Sequence, residues 1–178
     1  MKSLNEQIES YAAYHRDGRN KLTHFFGVPL VTFSFFLCLG WIRLTDWVVP
    51  VTAATVFCAI VFVYYLVLDW RIALCQAPFS LLLLLLADWA ARLPFKESLL
   101  IFALTFIGGW LIQLLGHAFE GKRPALFDNL LQVFNAPLFL TVEVMEHFGI
   151  RKTEHVRPSQ NVGPAPDNGL KTILGRGR

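Results

Sequence analysis

Two stretches of this chain concentrate the side chains that could do chemistry. Tyr14–Pro29 reads Y-H-R-D-G-R-N-K-L-T-H-F-F-G-V-P and carries His15, Asp17, Asn20 and His24 among several cations. Gln113–Leu126 reads Q-L-L-G-H-A-F-E-G-K-R-P-A-L and supplies Gln113, His117 and Glu120. Both border long apolar runs, where ionisable groups are costly and usually turn inward toward each other. No cysteine lies in either stretch, which excludes a thiolate-type structural zinc. Two or three imidazoles with a carboxylate, leaving open positions, suit non-haem Fe(II) that activates dioxygen. Zinc with a bound water fits the same donors, and spacing does not separate the two metals.

The spacing constrains which of these side chains can meet. Trp110, Gln113, His117 and Glu120 follow one another by three, four and three residues, so a helix presents them on one continuous face. A histidine and a glutamate three apart is a spacing that carboxylate-bridged metal sites use, although it is common by chance. On one straight helix, nine steps of about 100° would send His15 and His24 to opposite faces. Asp17-Gly18 is a turn signal that breaks the helix between them, and Asn20 is the expected N-cap of the next one. Asp17, Asn20 and Gln113 are then expected to support the metal-holding side chains rather than hold metal themselves. His147 is a poor candidate ligand, and His155 is set aside with the tail.

The elements around these residues follow from composition. The chain has 178 residues, 54% of them hydrophobic and 16% charged, with a mean hydropathy of +0.47. That is the profile of a small all-α multi-pass membrane protein. Four apolar runs, roughly Phe25–Ile42, Val51–Leu68, Ile72–Ala87 and Leu99–Gly116, approach the ~20 residues a bilayer span needs. Brief connections at Arg43–Pro50, Asp69–Arg71 and Asp88–Lys96 force antiparallel neighbours. Trp41, Trp47, Trp70 and Trp89 fall at run ends, as an interfacial belt would place them. Ahead of the runs, Ser3 to Glu6 fits a capping box, and Leu4, Ile8, Tyr11, Ala12 and His15 share one face of an amphipathic helix. Phe127–Phe148 is apolar but interrupted by Asp128, Asn135-Ala-Pro137 and Glu143, which predicts two short interfacial or re-entrant helices. Residues 1–150 thus form one helical membrane domain, and the Pro/Gly-rich 151–178 a disordered cytoplasmic tail. There is no internal repeat, and residues 1–28 contain no apolar stretch that would make a cleavable leader.

Thirteen of the sixteen lysines and arginines fall on the side of the termini; only Arg43, Arg92 and Lys96 fall on the other. The positive-inside rule then places both termini in the cytoplasm. The same count of spans brings the start of the first run (His24), the end of the second (Tyr64, Tyr65, Asp69), the start of the third (Arg71, Gln76) and the end of the fourth (Gln113, His117, Glu120) to that face. The histidine stretches therefore converge. No basic patch interleaved with aromatics suggests nucleic acid. Cys38, Cys58 and Cys75 lie in apolar runs without CxxC spacing and read as small buried hydrophobes.

Each of these features also has a plainer meaning. An interfacial histidine is commonly a snorkelling or hydrogen-bonded side chain, Arg16, Arg19 and Lys21 are most simply headgroup contacts, and Gly108-Gly109 is close helix packing. A non-catalytic lipid-binding membrane protein without metal and a zinc-dependent lipid hydrolase therefore stand beside the oxygenase reading.

The paired pattern Y-H-x-x-x-x-N-x-x-x-H-x-x-G-x-P (Tyr14, His15, Asn20, His24, Gly27, Pro29) with Q-x-x-G-H and R-P-A-L downstream resembles the 2-hydroxy-fatty-acid dioxygenase family. The resemblance covers about residues 5–145. The downstream glutamate stands at 120, one position earlier than in the family pattern. The resemblance implies a small multi-pass membrane enzyme of α-oxidation that uses Fe(II) and dioxygen to shorten a long-chain 2-hydroxy fatty acid by one carbon. It implies His15, His24 and His117 as catalytic iron ligands, with Glu120 as a further metal-binding candidate. A 2-hydroxy carboxylate can chelate through two oxygens, and Arg19 or Arg123 could hold its carboxylate as a bidentate partner. Membrane lipids surround such a protein, in a bacterial inner membrane or the endoplasmic reticulum; no protein partner is predicted.

Overall fold

A computed structural model describes residues 17–45, 51–121 and 132–150. The order of elements is α1 (Gly18–Gly40), β1 (Arg43–Thr45), β2 (Val51–Thr52), α2 (Ala53–Leu68), α3 (Trp70–Ala91), α4 (Phe95–Glu120) and α5 (Gln132–His147). The protein is all-α apart from one small antiparallel ribbon, in which Arg43 faces Thr52 and Thr45 faces Val51. The expected simple loop at 43–50 thus begins and ends in paired strands.

Helix α1 at its start, and α3 and α4 at both ends, outrun the apolar sequences that predict them, because backbone hydrogen bonding continues into polar ends where local caps permit it. Asp17, not Asn20, caps α1: its side chain accepts from the Arg19 backbone N–H at 2.8 Å. Asn20 lies one turn inside the helix and is completely buried. The Asp-Gly pair is therefore the start of α1; the helix expected to end before it lies outside the described residues. Thr52 and Thr55 form a reciprocal capping box at the start of α2. Asp69 alone separates α2 from α3 and accepts from the Arg71 and Ile72 N–H groups, making a minimal antiparallel hairpin. Gly121, with φ of 68°, ends α4 in the left-handed conformation.

Among the described residues, three helices are long and apolar enough to cross a membrane: Gly18–Gly40, Trp70–Ala91 and Phe95–Phe119. The fourth expected span is shorter. Helix α2 has 16 residues, about 24 Å at 1.5 Å each, against a hydrocarbon core of about 30 Å.

Helix α1 packs along α4 and also against α3, while α5 lies across α1 and α3. At one end of the bundle, Phe36, Leu37, Ala54, Leu83, Ala87 and Ala90 form the core. There the Trp41 indole N–H donates to the fully buried Ser98 hydroxyl at 2.8 Å. Toward the other end, Tyr65, Ile72 and Ala73 of the α2–α3 hairpin pack on Leu138, Val142 and Met145 of α5. Val28 packs on Ala136, Phe139 and Leu140. Large apolar side chains such as Leu82, Leu104 and Leu111 are exposed on the outside, as a lipid-facing surface requires.

Over its described part, the C-terminal segment is one helix and not two. Pro137 sits inside α5 without dividing it. Gln132–His147 is continuous because the fixed φ of proline fits a helix, and Leu138, Val142 and Met145 hold the segment against the α2–α3 hairpin. The cysteines differ from expectation in part. Cys38 and Cys58 are half-buried, but Cys75 is exposed on α3, where a membrane rather than a core would surround it. Residues 1–16, with the expected amphipathic helix, and the tail from 151 lie outside the described residues.

Candidate functional site: a buried imidazole pair between the first and fourth helices

Antiparallel packing of α1 on α4 brings the two histidine stretches together. Gly27, Gly109 and Gly116 let the backbones approach closely. A Cβ at Gly27 would stand 2.6 Å from Gln113 Cγ and 3.0 Å from the Gly109 carbonyl oxygen. At Gly109 it would stand 2.8 Å from Val31 and 3.1 Å from the Gly27 carbonyl oxygen. Small residues at a helix crossing of this kind are how membrane helices gain van der Waals contact when lipid supplies no hydrophobic drive.

His24 and His117 face each other across this crossing, with ring centroids 4.9 Å apart and planes at 88°. Only 4% of His24 and 6% of His117 is exposed, so the pair is shielded from solvent and from lipid. His24 Nδ1 lies 3.0 Å from the Asn20 carbonyl oxygen one turn earlier. A carbonyl can only accept, so Nδ1 donates in this hydrogen bond, and Nε2 is the nitrogen that would meet a metal. This is how a metal-ligating histidine is ordinarily fixed in tautomer and orientation. The Thr23 hydroxyl donates to the same carbonyl at 2.7 Å.

The remaining sequence candidates are placed as follows. Asn20 is buried beside Gly116. Gln113 is half-buried and lies over Gly27, one turn before His117. Asp17 accepts from the Arg19 guanidinium at 3.0 Å. That pairing holds the Asp17 carboxyl below its ordinary range. Arg19 also lies over the Phe119 ring, 4.8 Å from its centroid, which carries the N-terminal turn of α1 onto the end of α4. Both Asp17 and Arg19 thus act at the edge of the crossing. His147 is exposed at the end of α5 and packs edge-on against Phe148. His15 and Arg123, the Glu120 side chain and His155 lie outside what the structure describes. Among the described residues, no three His, Cys, Asp or Glu side chains gather into a metal-binding group. The donors in place are the two imidazoles, and the chemistry of that pair fits iron or zinc.

Sequence reasoning missed two features. Lys21 pairs with Glu143 of α5 at 2.6 Å, tying the C-terminal helix to α1 one turn before His24. The buried Gln76 accepts a short hydrogen bond from Thr141 and donates to Ser80 at 3.3 Å, so α5 also bonds to α3. Lys21 read as a headgroup contact and Glu143 as a helix interruption because no local pattern links positions so far apart. The polarity of Glu143 and Thr141 on an otherwise apolar helix was the available signal.

An all-α protein with three potential spans and a sealed imidazole pair belongs to the class of small membrane proteins with a polar centre inside the bundle. The family follows from comparison: residues 1–148 match the model described as "2-hydroxy-palmitic acid dioxygenase Mpo1-like", and the chain belongs to this Mpo1-like family. A curated relative, the 2-hydroxy-palmitic acid dioxygenase MPO1 of Saccharomyces cerevisiae, is 32% identical over 149 residues, covering 82% of each chain. No solved structure matches the chain.

Proposed function

We propose that the protein is an Fe(II)-dependent dioxygenase that shortens long-chain 2-hydroxy fatty acids by one carbon at the cytoplasmic face of a membrane. The observation that carries this reading is the edge-on, solvent-shielded His24–His117 pair, in a chain whose Mpo1-like relative is named for a 2-hydroxy-palmitic acid dioxygenase activity. His24 and His117 would hold the iron, with His15 as the third imidazole and Glu120 as a further candidate. Bound iron supplies the one-electron chemistry that lets dioxygen react, which no side chain of this protein can supply. The balance closes without an external reductant: a 2-hydroxy acid and O₂ give the one-carbon-shorter acid, CO₂ and water.

The protein's own contribution is placement and exclusion. The Asn20 carbonyl engages Nδ1 of His24, so Nε2 is the nitrogen that would coordinate. Burial keeps bulk water from competing with the substrate oxygens. Arg19 and Arg123, near the ends of α1 and α4, are the candidates for the substrate carboxylate. Because Arg19 already pairs with Asp17, a substrate there would have to displace that carboxylate. The alkyl tail belongs among the apolar helices, and surrounding lipid is its natural reservoir.

The deciding experiment uses the purified full-length protein. It should contain about one iron per chain, consume dioxygen with a long-chain 2-hydroxy acid, and release the acid one carbon shorter. Tightly bound zinc with hydrolysis of a lipid ester would support the hydrolase instead. Protein that purifies metal-free and takes up no iron would leave lipid binding as the better reading.

A further inference from the structure

The glycine before His117 has a role that its neighbours define. A Cβ at Gly116 would overlap the Thr23 hydroxyl and stand 2.5 Å from Asn20 Oδ1. Both side chains belong to the turn whose carbonyl orients His24: the Asn20 oxygen receives Thr23 Oγ1 at 2.7 Å and His24 Nδ1 at 3.0 Å. Asn20 is wholly buried and Gly116 is buried against it. Of the three glycines at the crossing, Gly116 is therefore the one with least room for a side chain, it faces the turn that carries the imidazole anchor, and it is next to His117 in the chain.

We infer that Gly116 is a positioning residue. Its missing side chain is the socket that seats Asn20 and Thr23, and this seating fixes the His24 ring in its Nδ1–H tautomer facing His117. The physical reason is lever length. A methyl group at Gly116 must displace Thr23 and Asn20, which shifts the Asn20 carbonyl under His24, or part the helices, which withdraws His24 from His117. Gly109, two turns back on α4, meets Val31, Leu30 and the Gly27 carbonyl instead. A methyl group there strains the same helix pair without touching the anchoring turn.

The test reads metal-free protein first, so it does not depend on the reaction assigned above. Protein labelled with ¹⁵N in its histidine rings, in detergent micelles, reports the tautomer of each ring by NMR. The wild type should give the Nδ1–H form for His24. Gly116→Ala should convert that resonance to a mixed or Nε2–H state, and Gly109→Ala should leave it unchanged. Adding Thr23→Ala to Gly116→Ala removes the worse of the two overlaps and should recover part of the wild-type signal. Thr23→Ile crowds the same contact from α1, and it decides the matter should Gly116→Ala fail to fold. Iron(II) titration is the second readout, with affinity falling about 10–100-fold in the variants that lose the tautomer. An unchanged His24 tautomer in folded Gly116→Ala or Thr23→Ile overturns the inference, as does an equal loss in Gly109→Ala. Should the tautomers behave as expected while no variant, nor the wild type, binds iron, the positioning stands and the iron assignment fails.

Discussion

Asn20 bonds to His24 through its backbone carbonyl and not its side chain, whose seating at Gly116 places that carbonyl. That distinction matters for reading mutations. Alanine at His24 or His117 removes a donor outright, and we expect loss of bound iron and of one-carbon shortening, with helical circular dichroism unchanged. Alanine at His155 should leave turnover intact. Gln113 lies over Gly27 one turn from His117, better placed to support a ligand than to be one. Gln113→Ala should therefore weaken iron binding about 10–100-fold without abolishing it. Complete loss of metal from the folded variant would make Gln113 a ligand. Protons compete for imidazole nitrogens, so iron occupancy should fall as pH drops below the ~6.5 of free imidazole. Occupancy that stays constant between pH 7 and 5 would remove histidine from the ligand set.

At the scale of elements, α1 and α4 make the site and α5 braces it. Helix α5 is held to α1 by Lys21–Glu143, to α3 by Thr141–Gln76, and to both by apolar contact through Val28, Ile72 and Ala73. These contacts differ in weight. The ion pair is partly exposed, with 43% of the Lys21 and 24% of the Glu143 side chain accessible. Solvent and headgroup screening hold such a pair to roughly 0.2–1 kcal/mol. The Gln76 amide is buried, and stranding it costs about 1–3 kcal/mol. Thr141→Val should therefore loosen α5 more than Glu143→Gln does, measured as protease sensitivity within 132–150. The charge swap Lys21→Glu with Glu143→Lys should recover most of the small loss from either change alone. A larger effect from Glu143→Gln than from Thr141→Val would mean that the ion pair is more deeply sealed than its exposure indicates.

For the molecule as a whole, orientation is the property that gives the site its access. Reporter fusions at Asp46, Asp69, Phe95 and Asn161 should read outside, inside, outside and inside. The uncertain member is α2, whose 16 residues span a full bilayer only if the membrane thins or the Thr52 and Asp69 ends lie within it. A reporter at Asp69 reading outside would make α2 a half-span and put the N-terminus and the 69–71 turn on different sides. An outside reading at Asn161 would instead make the C-terminal segment a true crossing.

The membrane character, the helical class and the main runs were legible in the sequence because apolar length and charge placement are local quantities. So was the pairing of His24 with His117: antiparallel helices joined by short turns bring alternate ends together whatever their side chains. The cap of α1 was misread because Asp17 and Asn20 are both good cap residues, and only burial against Gly116 decides that Asn20 is inside. The continuity of α5 through Pro137 was hidden for a similar reason, since proline breaks a helix in isolation but not one held by packing on Tyr65 and Val28. Tertiary structure alone decided how close α1 and α4 come and which polar atoms share one carbonyl. Those depend on whether two distant residues are both small or both polar at the same point in space, and a single strand of sequence does not carry that coincidence.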